Sequence, residues 1–333
     1  MLSHSSQRRG FTLVELLIAI AAMGFVLVYT LGTFTANRNT YVVIENVSEA
    51  HQNTLAIASL VERDIRNAGY MVPPGAAACG VDLAAAPDTL FVSDSDAIRT
   101  ADTLPSELAG GSNNIALSTI PGSWSGPQNI NLGELAVDDQ VTYDTDATVG
   151  ADSDFQVNGG VIFTDLDNPD RGVHCGIVTA VDTANDRITV NKLSPGTPAT
   201  SGNWAFVPAH VYRINGNALE RNGVVMARNV EDLQLAWFYD LDEDGQVDAN
   251  EDLGAGGTEP NYTADDIGGG GTNADPALLR EIRFNLIVRT AENDPTNTTS
   301  AGTGQVRENR VNPPGPDGRR RRVHTATIRL RNL

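Results

Sequence analysis

From Phe11 to Phe34 the chain reads FTLVELLIAIAAMGFVLVYTLGTF, an apolar run broken by one charge, Glu15. As a helix rising about 1.5 Å per residue it would span about 36 Å, longer than the roughly 30 Å of a bilayer's hydrocarbon core. The pattern then changes from uniform to striped. Ile44, Val47, Leu55, Ala58, Val61, Ile65 and Ala68 recur at steps of three or four, skipping polar His51. That spacing marks a single apolar helix face. Gly69 suits a helix stop, and Pro73-Pro74 forbids continuation. One helix from about Phe11 to Ala68 is predicted, its first half in lipid and its second half under a globular domain.

Beyond residue 70 the period shortens to two. Leu233, Leu235, Trp237 and Tyr239 alternate with Gln234, Ala236 and Phe238. Ile282, Phe284, Leu286 and Val288 alternate with Arg283, Asn285, Ile287 and Arg289, and Ala326, Ile328 and Leu330 with Thr325, Thr327 and Arg329. Shorter β-prone runs stand at Thr89–Val92, Asp139–Tyr143, Val173–Val181, Arg187–Val190, Ala209–Ile214 and Ala218–Arg221. Half-buried antiparallel sheet is the expected outcome. Residues 101–135, 254–278 and 291–318 are rich in Gly, Asn, Pro, Ser and Thr and read as long surface loops. The fold class is α+β: a long N-terminal helix on a β-rich, mainly antiparallel domain. The expected segments are a polar N-terminus (1–10), an apolar half-helix long enough to cross a membrane (11–36), a striped half-helix (37–70) and a β-rich body (71–333).

The leader, MLSHSSQRRG, places Arg8 and Arg9 before the apolar run, which would hold its N-terminal side in the cytoplasm. A secretory signal has its small-residue cleavage site after the apolar stretch. Here the small residue, Gly10, lies before it, so cleavage would remove the leader and keep the helix. Glu15 inside the apolar run costs a few kcal/mol unless partnered. An amine created at Phe11 on a neighbouring, axially shifted helix would supply that partner and set the stagger between helices. Snorkelling to water is the alternative reading.

Arg9-Gly10-Phe11-Thr12-Leu13-Val14-Glu15 resembles the prepilin cleavage and methylation motif of type IV pilins and type II secretion pseudopilins. The resemblance implies cutting between Gly10 and Phe11 by a prepilin peptidase, N-methylation of Phe11, and an assembly role for Glu15. Further segments are similar to PilW-type minor pilins: Asp64-Ile65-Arg66-Asn67-Ala68-Gly69-Tyr70, Val211-Tyr212-Arg213-Ile214 with Leu219-Glu220-Arg221, Val230-Glu231-Asp232-Leu233-Gln234, and the closing Ile328-Arg329-Leu330-Arg331-Asn332. By resemblance the protein would wait in the bacterial inner membrane with its body in the periplasm. It would then join other minor and major pilins in the complex that primes or caps a type IV pilus, with adhesion, twitching motility and DNA uptake as the implied processes. A J-type minor pseudopilin of type II secretion and a pilus-tip adhesin are the alternatives.

Lys plus Arg number 23 against 42 Asp plus Glu, a formal charge of −19. Direct nucleic-acid binding is not expected of such a field. The acid is concentrated at 240–251, DLDEDGQVDANE, which meets the pattern D-x-[DN]-x-[DN]-G-x5-E. Asp240, Asp242 and Asp244 take positions 1, 3 and 5, and Gly245 gives the sharp turn. Gln246 offers a backbone carbonyl, Asp248 stands at 9 and Glu251 at 12. Carboxylates converging without a cation repel one another, so the spacing predicts a structural Ca2+; a solvated acidic turn is the alternative. A strand enters and a Gly-rich loop leaves, which argues against a helix-loop-helix sensor. Asp165, Asp167 and Asp170 form a weaker acidic turn, read as surface.

Cys79 and Cys175, the only cysteines, lie outside the apolar run. An oxidising periplasm would pair them; two separate buried thiols is the other reading. His174 beside Cys175 points to the opposite face of a strand, a poor placement for proton transfer. No nucleophile elbow, zinc-protease or P-loop pattern is present, so an enzyme is not expected. Arg319–Arg322 reads as the solvated start of a strand.

Overall fold

The structure is a computed structural model. It describes residues 12–70, 72–73, 75–81, 86–94, 97, 116–118, 124–131, 155–168, 171–182, 187–194, 197–202, 204–240, 242–247, 276–294 and 318–331. One α-helix, α1, runs Leu13–Asn67. It is continuous through Gly24 and Gly32, where an added Cβ would meet nothing within 4 Å. It stops at the expected place: Gly69 takes φ 83°, and its N–H leaves the helical pattern to donate to the Ser93 carbonyl at 3.0 Å.

The chain divides into two compact units between Glu49 and Ala50. In the first, every described residue from Thr12 to Val42 is exposed, including Leu13, Met23, Phe25 and Tyr29. The hydroxyls of Thr30, Thr33, Thr35 and Thr40 turn inward to the backbone. Thr30 donates to the Val26 carbonyl at 2.9 Å, and Thr33 to that of Tyr29 at 3.0 Å. Their polar groups are thereby satisfied without water, a requirement for any helix that enters hydrocarbon.

In the second unit the end of α1 buries Ala50, Thr54, Ile57, Ala58, Val61, Asp64, Ile65 and Ala68. The predicted stripe holds from Ala58 onward. It fails at Leu55, 49% exposed, because the buried face runs through Thr54 and Ile57. Thr54 is accommodated by a 2.6 Å bond from its hydroxyl to the Ala50 carbonyl, so a polar residue stands where an apolar one was sought.

The body is antiparallel throughout its described pairings. Its strands are β1 (Ala78–Val81), β2 (Thr89–Val92), β3 (Ala116–Ser118), β4 (Gln128–Asn131), β5 (Gly160–Asp165), β6 (Val173–Asp182), β7 (Arg187–Lys192), β8 (Trp204–Asn215), β9 (Ala218–Arg221), β10 (Val224–Arg228), β11 (Val230–Tyr239), β12 (Leu279–Arg289) and β13 (Arg321–Arg329). A ten-stranded sheet follows the path β1-β2-β8-β5-β6-β7-β4, with β3 and the β9–β10 hairpin attached to β8. A second sheet has the order β11-β12-β13. The helix residues Ala58, Val61 and Ile65 share one apolar cluster with Leu90, Val211, Trp237, Phe284 and Leu286 of both sheets. A smaller cluster of Phe155, Val161, Phe163, Val178, Trp204 and Phe206 covers the other face of the large sheet. Successive residues of β5 therefore serve different cores: Ile162 the first, Val161 and Phe163 the second.

Double coverage corrects the expectation of half-buried strands. All ten residues of β11 are buried, and so are all six of β5. The segment before β2 bonds the backbone of β11 along its free edge. Asp88 Oδ2 accepts from the Leu235 N–H at 2.8 Å, and the Asp88 N–H donates to the Leu233 carbonyl at 2.8 Å. Strands β3 and β4 lie within a stretch read as loop, while the run Asp139–Tyr143 lies outside the described residues. The basic run also differs from expectation. Arg321 has a 3% exposed side chain whose Nε donates to Glu231 at 2.7 Å, and Arg320 pairs with Asp294 at 2.6 Å. Asp165, read as surface, is buried against Arg171.

Candidate functional site

Three places carry the polar residues singled out above. At the helix start, Gly10 and Phe11 lie outside the described residues. Glu15 closes a capping box with Thr12. The Thr12 N–H and hydroxyl each donate to Glu15 Oε2 at 2.9 Å, and the Glu15 N–H approaches the Thr12 hydroxyl at 3.3 Å. The signal was present as Thr-x-x-Glu immediately before an apolar run, and the expectation of an intermolecular partner passed over it. The box satisfies N–H groups that the helix cannot bond internally, and it places a carboxylate at the positive end of the helix dipole.

The second place is the loop that leaves β11. Asp240 is fully buried, its N–H donating to the Leu278 carbonyl at 2.9 Å. Its Oδ2 accepts from the Gly245 N–H at 3.0 Å and from Arg280 Nε at 3.1 Å. The loop turns because Glu243 and Gly245 take φ 59° and 86°. Asp242 Oδ1 accepts from the Asp244 N–H at 3.2 Å, and Asp244 Oδ1 from the Gln246 N–H at 2.7 Å. Asp242 and Asp244 are exposed, yet each brings a carboxylate oxygen within 4.8 Å of the others and of one on Asp240. Two unit charges that close repel by about 1–3 kcal/mol, according to how much water screens them. Asp248 and Glu251 lie outside the described residues.

The third place was not foreseen as one site. Asp64, 2% exposed on α1, accepts from the Tyr212 hydroxyl at 2.6 Å and from Arg221 at 2.8 Å. Arg63 adds a contact at 3.0 Å from a mostly exposed side chain. Burial first, and then the Asp64 charge, pushes the Tyr212 hydroxyl well above the usual tyrosine range. Next to it, Arg213 and Asn215 hold Glu220 at 3.0 Å and 2.9 Å. The three segments that supply Asp64, Tyr212 and Arg221 were separate fragments in the sequence; here they form one clasp between helix, β8 and β9.

Cys79 on β1 and Cys175 on β6 are joined by a disulfide across a sequence separation of 96, and both are fully buried. His174 packs against Phe163 and Trp204 with ring centroids 5.6 Å and 5.8 Å away. Both environments are structural in character.

Comparisons with known proteins place matches at the two ends of the chain. Residues 5–31 match the family model described as the prokaryotic N-terminal methylation motif, and residues 199–332 match that of Type IV Pilus-assembly protein W, PilW. A solved structure of a type IV-like pilin from Thermus thermophilus is similar at 14% identity over 53% of this chain and 85% of that one, with a TM-score of 0.23, too low to carry an argument. No curated protein matches. The second family match contains β8 through β13, hence Tyr212, Arg221, Glu231, Arg321 and the acidic loop. The chain thus carries a region similar to the N-terminal methylation motif at one end and a region similar to the type IV pilus-assembly protein PilW at the other.

Proposed function

We propose that the protein is a minor pilin, a structural subunit of the complex that primes a type IV pilus and sits at its tip. The observation that carries this reading is the helix start. An apolar segment with no covering from its own unit follows a processing-type motif, and its one carboxylate stands at the N-terminus. Hydrolysis of the Gly10–Phe11 amide by a prepilin peptidase would leave a new amine at Phe11, which methylation keeps cationic. Both Thr12 donations fall on Glu15 Oε2. A carboxylate has room for more acceptor contacts than these, so Oε1 is left to receive a neighbour's amine. The capping box then has two roles: it starts the helix, and it holds the carboxylate where a staggered neighbour would find it. Apolar helix packing supplies the cohesion and the ion pair supplies the register.

On this reading the protein waits in the inner membrane as a single-pass subunit with its body in the periplasm, and its role is assembly rather than catalysis. Mass spectrometry of the native chain should find an N-methylated Phe11 terminus. Glu15→Ala should lower incorporation into sheared pili while leaving membrane insertion and cleavage intact. Unchanged incorporation would refute the register argument. Recovery of the protein with secretion components instead of pili would move the reading to a minor pseudopilin.

A further inference from the structure

We propose that the loop leaving β11 binds one calcium ion through carboxylate oxygens of Asp240, Asp242 and Asp244. The inference rests on the chemistry of the loop and does not depend on the pilus reading. Clustered acids alone would not carry it, since exposed aspartates gather in many loops without a ligand. The deciding observation is the other oxygen of Asp240. Oδ2 is satisfied by Gly245 and Arg280, while Oδ1 is buried with no hydrogen-bond partner, on a residue that is fully buried. A buried carboxylate oxygen without a partner is costly, and proteins rarely retain one unless something else satisfies it.

The surrounding donors specify what that is. They are oxygens only, three carboxylates whose ligand atoms lie within 4.8 Å of one another, and in sequence the spacing continues to Gln246, Asp248 and Glu251. Hard oxygen donors of this kind suit calcium, which accepts six to eight ligands in irregular geometry. Magnesium demands a near-ideal octahedron and keeps its waters. Arg280 does not take the place of the ion, because its bond falls on Oδ2. It instead anchors the loop to β12, while Arg329 of β13 donates to the Gly245 carbonyl. All three strands of the small sheet thus hold the loop, so occupancy should stabilise that sheet as a unit.

The test uses the full chain in detergent micelles, stripped of metal with EGTA and titrated with CaCl2 by calorimetry. One equivalent should bind saturably, with a rise in thermal midpoint. Asp242→Ala and Asp244→Ala are both exposed and should keep the wild-type circular dichroism spectrum; each should weaken binding at least tenfold. No saturable uptake by the folded chain up to about 10 mM, ten times the weakest affinity usual for extracellular sites, would overturn the proposal. So would wild-type affinity in both variants, or equal affinity for MgCl2.

Discussion

Asp64→Ala removes a carboxylate that holds helix α1 to strands β8 and β9. Two groups lose this carboxylate together: the buried Tyr212 hydroxyl at 2.6 Å and the partly buried Arg221 guanidinium at 2.8 Å. Tyr212 is fully buried and the Arg221 side chain is 18% exposed, so water cannot replace the carboxylate freely. Breaking a buried ion pair from one side costs about 3–5 kcal/mol, and a stranded buried hydroxyl about 1–3 kcal/mol. Both losses arise from the same carboxylate and overlap, so a total of about 4 kcal/mol is expected. Arg63 adds little, because its exposed guanidinium returns to water. Asp64→Asn keeps the volume and one acceptor and should cost less than Asp64→Ala. Tyr212→Phe should cost about 1–3 kcal/mol, and combining it with Asp64→Ala should recover part of that. The assay is urea denaturation of the full chain in micelles, followed by the fluorescence of buried Trp204 and Trp237. A loss below about 1 kcal/mol for Asp64→Ala would refute the reasoning, because it would place the cost in the range of an exposed pair.

Two groups predict opposite responses to alkali. Burial lowers Lys192 from 10.5 to about 8, so between those values the unfolded chain binds the proton that the folded one has lost, and stability rises with pH. The residue is half-buried, and after allowance for solvent screening the gain should be about 1 kcal/mol; it should vanish in Lys192→Met, measured by denaturation at pH 7.5 and 9.5. Tyr212, raised above its usual range, contributes stability that is present below pH 10 and lost as pH rises further, so Tyr212→Phe should flatten the decline above pH 10. Replacing both Cys79 and Cys175 with alanine opens a 96-residue loop and should cost about 2–5 kcal/mol under non-reducing conditions, a measurement that a loss below about 1 kcal/mol would contradict. Thr12→Val should fray the first turn of α1, seen as faster amide exchange at the helix start, while Thr12→Ser should not.

The helix and the three long C-terminal strands were legible because each declares one period over many residues. Ala58, Val61, Ile65 and Ala68 mark the helical face, and Leu233 through Tyr239 the strand. Legibility fell where burial was not one-sided. In β5 the run Val161-Ile162-Phe163 serves two cores, so no alternation was there to see. Strand β1 is Ala-Cys-Gly-Val and β4 is Gln-Asn-Ile-Asn, compositions with little of the β-branched and aromatic enrichment that marks a strand. Thr54 concealed the true helix face, since its hydroxyl is satisfied by the helix's own backbone and needs no other partner there.

Site residues divide along a different line. The acidic loop could be read because its acidic residues are close in sequence and a single spacing describes them all. The clasp could not, because Asp64 and Tyr212 stand 148 residues apart, and no spacing rule links a helix acid to a strand tyrosine. Yet the short fragments at residues 211–214, 219–221 and 230–234, which lie inside the region similar to PilW, and the helix end at 64–70, which lies outside it, supply Tyr212, Arg221 and Asp64 of that clasp and the Glu231 end of the buried pair with Arg321. Each fragment is weak alone because each holds only half of an interaction. Removing one partner of a buried pair strands the other, so neither half is cheaply replaced alone. Pairing across these fragments is thus a property of the folded chain. It predicts that exchanging the charges of Glu231 and Arg321 together should preserve more stability than reversing either one, measured by the same urea assay. Additive losses in the double variant would show that the pair is packed rather than paired.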